Sequence, residues 1–222
     1  MDYKIEHSPV FTILRINMKQ GEQFRAEAGA MVSMSPTLKL EAKTAGKGLM
    51  GTFKAAVGGE SIFATLFTAE TGDGELVLAP SVLGDILEMD MSGNTIYAEG
   101  GAYLAGSPGL ELSTKGSFKA MISGEGLFLQ RITGTGIVFL NSFGAVFEKT
   151  LAPGEVYIVD TNHIVAFEET IQYKIKKASK GIFSSLASGE GLVCEYTGPG
   201  KMWVQTRALS ALAQAIGKFL TK

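Results

Sequence analysis

Short apolar runs with polar residues at every second position recur along the chain, and they predict β-strands. Phe11-Thr12-Ile13-Leu14-Arg15-Ile16, Leu38-Lys39-Leu40-Glu41, Leu110-Glu111-Leu112-Ser113, Ile171-Gln172-Tyr173-Lys174-Ile175-Lys176 and Met202-Trp203-Val204-Gln205 all read this way. Side chains of a strand alternate between its two faces, so each run is a strand with one buried and one wet face. Glu75-Leu76-Val77-Leu78 and Ile137-Val138-Phe139-Leu140 are apolar on both faces, which predicts strands sandwiched between layers or subunits. The last stretch changes period. Leu209, Leu212, Ala213, Ile216 and Leu220 recur at steps of three and four. That spacing predicts an amphipathic helix over 207–220, capped by Thr206 and docked on the β body.

Between the strands the punctuation repeats. Ser123-Gly124-Glu125-Gly126-Leu127-Phe128 is nearly the same string as Ser188-Gly189-Glu190-Gly191-Leu192-Val193, and Gly58-Gly59-Glu60-Ser61-Ile62-Phe63 is a worn version. Glu60, Glu125 and Glu190 are spaced 65 residues apart. A second block precedes each string. Gly21 to Val32 resembles Gly93 to Leu104, followed in these two copies by Ser35-Pro36 and Ser107-Pro108; the copy from Gly154 to Val165 is the most drifted. A period of this length marks an internal repeat, here units over about 10–80, 82–141 and 142–207. A unit of that size buries too little surface to stand alone. The expectation is therefore an all-β protein: three similar β-sandwich-like modules packed as one compact body with pseudo-threefold symmetry, plus the C-terminal helix.

Composition narrows the function classes. The net charge of −2 argues against general electrostatic binding of nucleic acid. The strip Lys174, Lys176, Lys177 and Lys180 reads as the solvated face of a strand, so DNA is not expected as a partner and RNA is disfavoured. Cys194 is the one cysteine, which precludes an intramolecular disulfide and favours the cytoplasm. The N-terminus lacks the apolar core of a secretory signal. The longest apolar stretch, Gly136 to Phe147, is broken by Asn141-Ser142 and falls short of the ~20 residues of a membrane-spanning helix.

Catalytic parts are scarce. Gly46-Lys47-Gly48-Leu49-Met50-Gly51 matches a dinucleotide fingerprint in form, but Gly58-Gly59 follows too soon for the helix that fingerprint needs. His7 and His163 are the only histidines and Cys194 has no second cysteine, so no metal site, cofactor or catalytic residue is expected. Cys194 lies in the apolar run Leu192-Val193-Cys194 and reads as a small buried hydrophobe; His163 with Asp160 reads as a turn at a strand end. The repeated positions Gly59, Glu60, Gly124, Glu125, Gly189 and Glu190 carry two readings. The carboxylates accept backbone N–H groups of their own turns, or the three converge on an axis and bind a cation.

Ala26-Glu27-Ala28-Gly29-Ala30-Met31 with Ser35-Pro36, Ala98-Glu99-Gly100-Gly101-Ala102-Tyr103 and the Gly-Glu-Gly strings together resemble the AIM24 family over residues 3 to 207. The resemblance implies a TRAP-like β fold in triplicate and supplies no catalytic residues; eukaryotic members look like organisation factors of the mitochondrial inner membrane. The resulting expectation is a non-enzymatic structural or scaffolding module, a cytoplasmic homo-oligomer with protein partners. Membrane contact would be peripheral, through partners or the C-terminal helix. The alternative is a small ligand or RNA bound by the TRAP-like surface.

Overall fold

The computed structural model describes residues 2–44, 63–115, 127–177 and 192–220. Seventeen strands run in chain order: β1 (Asp2–Glu6), β2 (Ile13–Met18), β3 (Gln23–Glu27), β4 (Met31–Met34), β5 (Leu38–Thr44), β6 (Phe63–Ala69), β7 (Gly74–Leu78), β8 (Ile86–Glu99), β9 (Tyr103–Gly106), β10 (Leu110–Lys115), β11 (Leu129–Asn141), β12 (Val146–Leu151), β13 (Val156–Asp160), β14 (Ile164–Glu168), β15 (Gln172–Lys177), β16 (Leu192–Thr197) and β17 (Gly200–Gln205). One helix, α1 (Leu209–Leu220), follows them. Every run read as a strand from its alternation overlaps one of these elements, with Phe11, Thr12 and Ile171 falling just before β2 and β15, and the chain is mostly β with several antiparallel sheets.

The strands form a four-stranded sheet β1-β2-β7-β4, a three-stranded sheet β13-β16-β15 and a ten-stranded sheet, β12-β17-β14-β8-β11-β9-β3-β6-β5 with β10 paired to β11. The large sheet owes its length to β8 and β11. Their ladder runs from Leu129↔Glu99 to Asn141↔Ile86, with one register shift between Thr133 and Thr135. Ser92-Gly93-Asn94 looks like a turn in sequence, yet the strand continues through it because Gly93 takes φ +92°, a left-handed value open to a residue without Cβ.

Burial follows the alternation. In β2 the buried residues are Leu14, Ile16 and Met18, and in β15 Lys174 and Lys176 face solvent while Tyr173 and Ile175 turn inward. The both-faces-apolar reading also holds, since Leu76, Val77 and Leu78 are all buried, as are Val138, Phe139 and Leu140. Three apolar clusters result, one around Leu14, Phe24, Phe67 and Phe139, a second around Ile96, Ile132, Leu140 and Trp203, a third around Phe167, Tyr196, Met202 and Val204.

α1 ends at Leu220 as expected but differs from its expectation at its start and in its packing. It starts at Leu209, and Thr206 does not cap it: the Thr206 hydroxyl accepts the Ala145 N–H at 3.0 Å while the Thr206 N–H donates to the Ala145 carbonyl at 2.9 Å. These bonds prolong the β12–β17 ladder by a residue. The helix buries no residue against the body, and Phe219 is 84% exposed.

Candidate interaction surface

Gly59, Glu60, Gly124, Glu125, Gly189 and Glu190 lie outside the described residues, as do Gly46 to Gly51 and Lys180. The structure places their flanks. β5 pairs with β6 up to Thr44↔Phe63, β10 with β11 up to Lys115↔Leu129, and β15 with β16 up to Lys177↔Leu192. Each Gly-Glu string therefore falls between two strands that are partners in one antiparallel ladder.

The other candidates of the sequence are used for structure. His163 Nδ1 is 2.8 Å from the Gln205 carbonyl; a carbonyl only accepts, so this nitrogen carries the proton. Asp160 accepts the Asn162 N–H at 2.8 Å and so caps the short 3-10 turn that contains His163. Cys194 is fully buried, and burial pushes its thiol pKa up, partly opposed by the Tyr196 hydroxyl. A thiol held in its protonated form is a poor nucleophile. Native protein at pH 8 should leave Cys194 unmodified by Ellman's reagent, with one equivalent reacting once urea unfolds the chain; fast native labelling would contradict this burial.

Surface carboxylates serve the turns. Glu22 accepts the Lys19 N–H at 2.8 Å and Glu155 accepts the Ala152 N–H at 2.8 Å. The pKa of Glu22 is lowered chiefly by that backbone bond, and that of Glu155 chiefly by the Lys149 ammonium at 2.8 Å. Tyr3 donates to Glu88 at 2.6 Å, and this bond is the main cause that raises its pKa to about 12. Among the described residues no three His, Cys, Asp or Glu side chains come together in a way that could hold a metal ion.

What stands out is a pair of sheet edges. β4 ends the four-stranded sheet and β13 ends the three-stranded one. All four residues of β4 are exposed, and so are Val156, Tyr157 and Ile158 of β13. Neither Met31-Val32-Ser33-Met34 nor Val156-Tyr157-Ile158-Val159 contains a charge. The outer strands β1, β5, β10, β12 and β15 all carry acidic or basic residues, among them Lys4, Lys39, Glu111, Glu148 and Lys174. Charge on an edge strand blocks pairing with another sheet, so a charge-free apolar edge is one left open to a partner. Sequence reading missed this surface. The signal was present as two apolar runs without charge, Met31 to Met34 and Val156 to Val159, but nothing in a single sequence says which strands lie at edges.

A second apolar feature is a groove of about 600 Å³ beside α1, lined by Val10, Leu83, Phe143, Ala145, Ala211 and Leu212. No helix among the described residues is long and apolar enough to cross a membrane.

Known proteins place this architecture. An uncharacterised protein of Streptococcus pyogenes serotype M6 is 31% identical over 99% of this chain and 91% of its own length. The X-ray crystal structure of protein SPYM3_0169 from Streptococcus pyogenes superposes with a TM-score of 0.82 at 28% identity, covering 98% of this chain and 99% of the other. The family described as Mitochondrial biogenesis AIM24 matches residues 3–207, almost all of the β body. By that match the chain belongs to the AIM24 family.

Proposed function

We propose that the protein is a non-catalytic scaffold that associates with copies of itself and with protein partners, built from three TRAP-like β units in approximate threefold repetition. The observation that carries this reading is a pair of exposed sheet edges without charge, Met31–Met34 of β4 and the run Val156 to Val159 of β13, whose one charge, Asp160, is turned to the cap of the following 3-10 turn.

The repetition is supported by the ladders. β2 pairs with β7, the first half of β8 with the second half of β11, and β12 with β17. β3 pairs with β6, the second half of β8 with the first half of β11, and β13 with β16. β4, β9 and β14 pair with β7, β11 and β17, each with a register shift at the same step, between Met31 and Ser33, Tyr103 and Ala105, and Ile164 and Ala166. Gly21, Gly93 and Gly154 have φ of +86°, +92° and +77° at corresponding places. Units near 65 residues then share one body, because the three apolar clusters draw side chains from more than one unit.

Membrane contact, in this reading, is peripheral and runs through partners or through α1, whose exposed Leu212, Ile216 and Phe219 lie beside Lys218. Sedimentation velocity at micromolar concentration tests the scaffold: species heavier than the 23.5 kDa chain are expected. A single 23.5 kDa species would overturn self-association and leave a small apolar ligand in the groove beside α1 as the better reading.

A further inference from the structure

Successive units are joined by one pairing, used twice. β3 of the first unit pairs with β9 of the second through Arg25↔Gly106 and Ala26↔Ala105. β8 of the second pairs with β14 of the third through Tyr97↔Phe167 and Ala98↔Ala166. The two junctions share one register. Arg25 and Tyr97 hold the same ladder position in their units, opposite Leu66 and Arg131, and Gly106 and Phe167 do so as well, opposite Val138 and Met202.

The strands left over at the two ends of this series are β13 of the third unit and β4 of the first. By the same ladder positions, Ile158, opposite Glu195, corresponds to Arg25 and Tyr97, and Met34, opposite Leu76, corresponds to Gly106 and Phe167. Exposure marks both as halves of an unmade junction. Val32 is 58% exposed whereas its counterparts Leu104 and Val165 are 0% and 1%, and Ile158 is 60% exposed whereas Tyr97 is 7%. A second, separate link behaves the same way. Single-residue parallel bridges join Phe11 to Gly84 and Gly84 to Gly144, one position in each unit, and at the free end of this chain of bridges Phe11 is 70% exposed.

We propose that copies of this chain join head to tail by antiparallel pairing of β13 of one copy with β4 of the next, Ile158 opposite Met34 and Val159 opposite Ser33. The contact repeats between chains the junction already made twice within each. It converts the separate three-stranded and four-stranded sheets into one seven-stranded sheet across the seam. Unlike patches meet, so the interface is heterologous, and each added copy presents a fresh β4 or β13 edge. The products are a closed ring or an open filament, according to the rotation per copy.

The inference rests on the scaffold reading and is tested apart from it. Val32→Asp places a charge on β4 and Ile158→Asp adds one to β13; both side chains are exposed in the single chain, so the circular dichroism spectrum of each variant should match the wild type, whose melting alone should rise with concentration. The expected result is that wild type sediments as an oligomer, each variant alone as a 23.5 kDa monomer, and an equimolar mixture as a dimer and nothing larger, since one good β4 and one good β13 remain. Register is read from cysteine pairs, Met34→Cys with Ile158→Cys and Ser33→Cys with Val159→Cys, in the oligomer under oxidation. Cα atoms directly opposite in an antiparallel pair are about 4.5–5.5 Å apart, within disulfide range, so at least one pair should give a covalent ladder of multimers. Wild-type oligomers that survive both aspartates, or that yield no ladder from either pair, overturn the β4–β13 seam and leave the scaffold standing. A monomeric wild type overturns both. A cross-link confined to single chains also overturns the seam, because it would show the two edges meeting within one copy.

Discussion

Gly84→Ala is expected to be the most damaging glycine-to-alanine change among the described residues, lowering the unfolding free energy by more than about 4 kcal/mol, a size reached by a short list of mechanisms of which forced backbone displacement is one. A Cβ built at Gly84 would lie 1.6 Å from the Ser142 carbonyl oxygen, backbone that cannot rotate away as a side chain would. Relief requires the segments around Gly84 and Gly144 to part. That breaks a dense set of bonds: Asp85 N–H to Gly144 O at 3.1 Å, Ser142 N–H to Asp85 O at 3.0 Å and Gly144 N–H to Leu83 O at 2.9 Å. The Ser142 hydroxyl is buried and donates to the Gly144 carbonyl at 2.9 Å, so it would lose its partner as well. Urea denaturation followed by tryptophan fluorescence measures the effect through Trp203. Gly217→Ala is the control. Its Cβ would meet nothing within 4 Å on an exposed helix, and the urea midpoint should not fall. Equal midpoints for the two variants would contradict the close approach at Gly84.

Phe167→Ala is expected to cost about 3–5 kcal/mol, the usual range for deleting a buried phenyl ring. Phe167 is fully buried with ring centroids of Tyr196 at 5.2 Å, Tyr173 at 5.4 Å and Tyr97 at 5.5 Å. Tyr196 and Tyr173 come from the three-stranded sheet, and Tyr97 from β8, directly opposite Phe167 on the neighbouring strand. One ring therefore holds β14 both to the three-stranded sheet and to β8. The cavity left by alanine cannot close from one side without opening another contact. Phe167→Leu should cost clearly less than Phe167→Ala, since much of the volume is kept. A thermal or urea transition that stays single while shifting would show the ring acting on the whole fold; a split transition would show the three-stranded sheet coming loose first.

Much of this fold was legible in sequence, for a physical reason. A strand with one wet face must alternate, so Ile13–Met18 and Gln172–Lys177 announce themselves, and no tertiary detail is needed to read them. The continuity of β8 was not legible, because Ser92-Gly93-Asn94 suits a hairpin turn and a pass-through strand alike, and the choice depends on which strands pair. Thr206 was misread as a helix cap because its hydroxyl bonds Ala145, far away in sequence. The amphipathic period of α1 was visible, whereas the docking expected from it fails, because Leu212 and Phe219 stay exposed and only tertiary placement decides that. For the interaction surface the limit is similar. Val32 and Ile158 look like any apolar strand residues until the ladders show that, among the described residues, no second strand pairs with β4 or β13.

The unbroken strands β8 and β11 also decide where the chain changes sheet. From β2 to β3 and from β12 to β13 it passes between sheets through short turns, at Lys19–Glu22, tied by Glu22 and Asp73, and at Ala152–Glu155, tied by Glu155. β8 and β11 have no such turn: each runs on as one strand, and the local bend of their ladder is confined to the register shift between Thr133 and Thr135. The ten-stranded sheet therefore keeps a continuous backbone through its centre, while the two smaller sheets are reached only across loops.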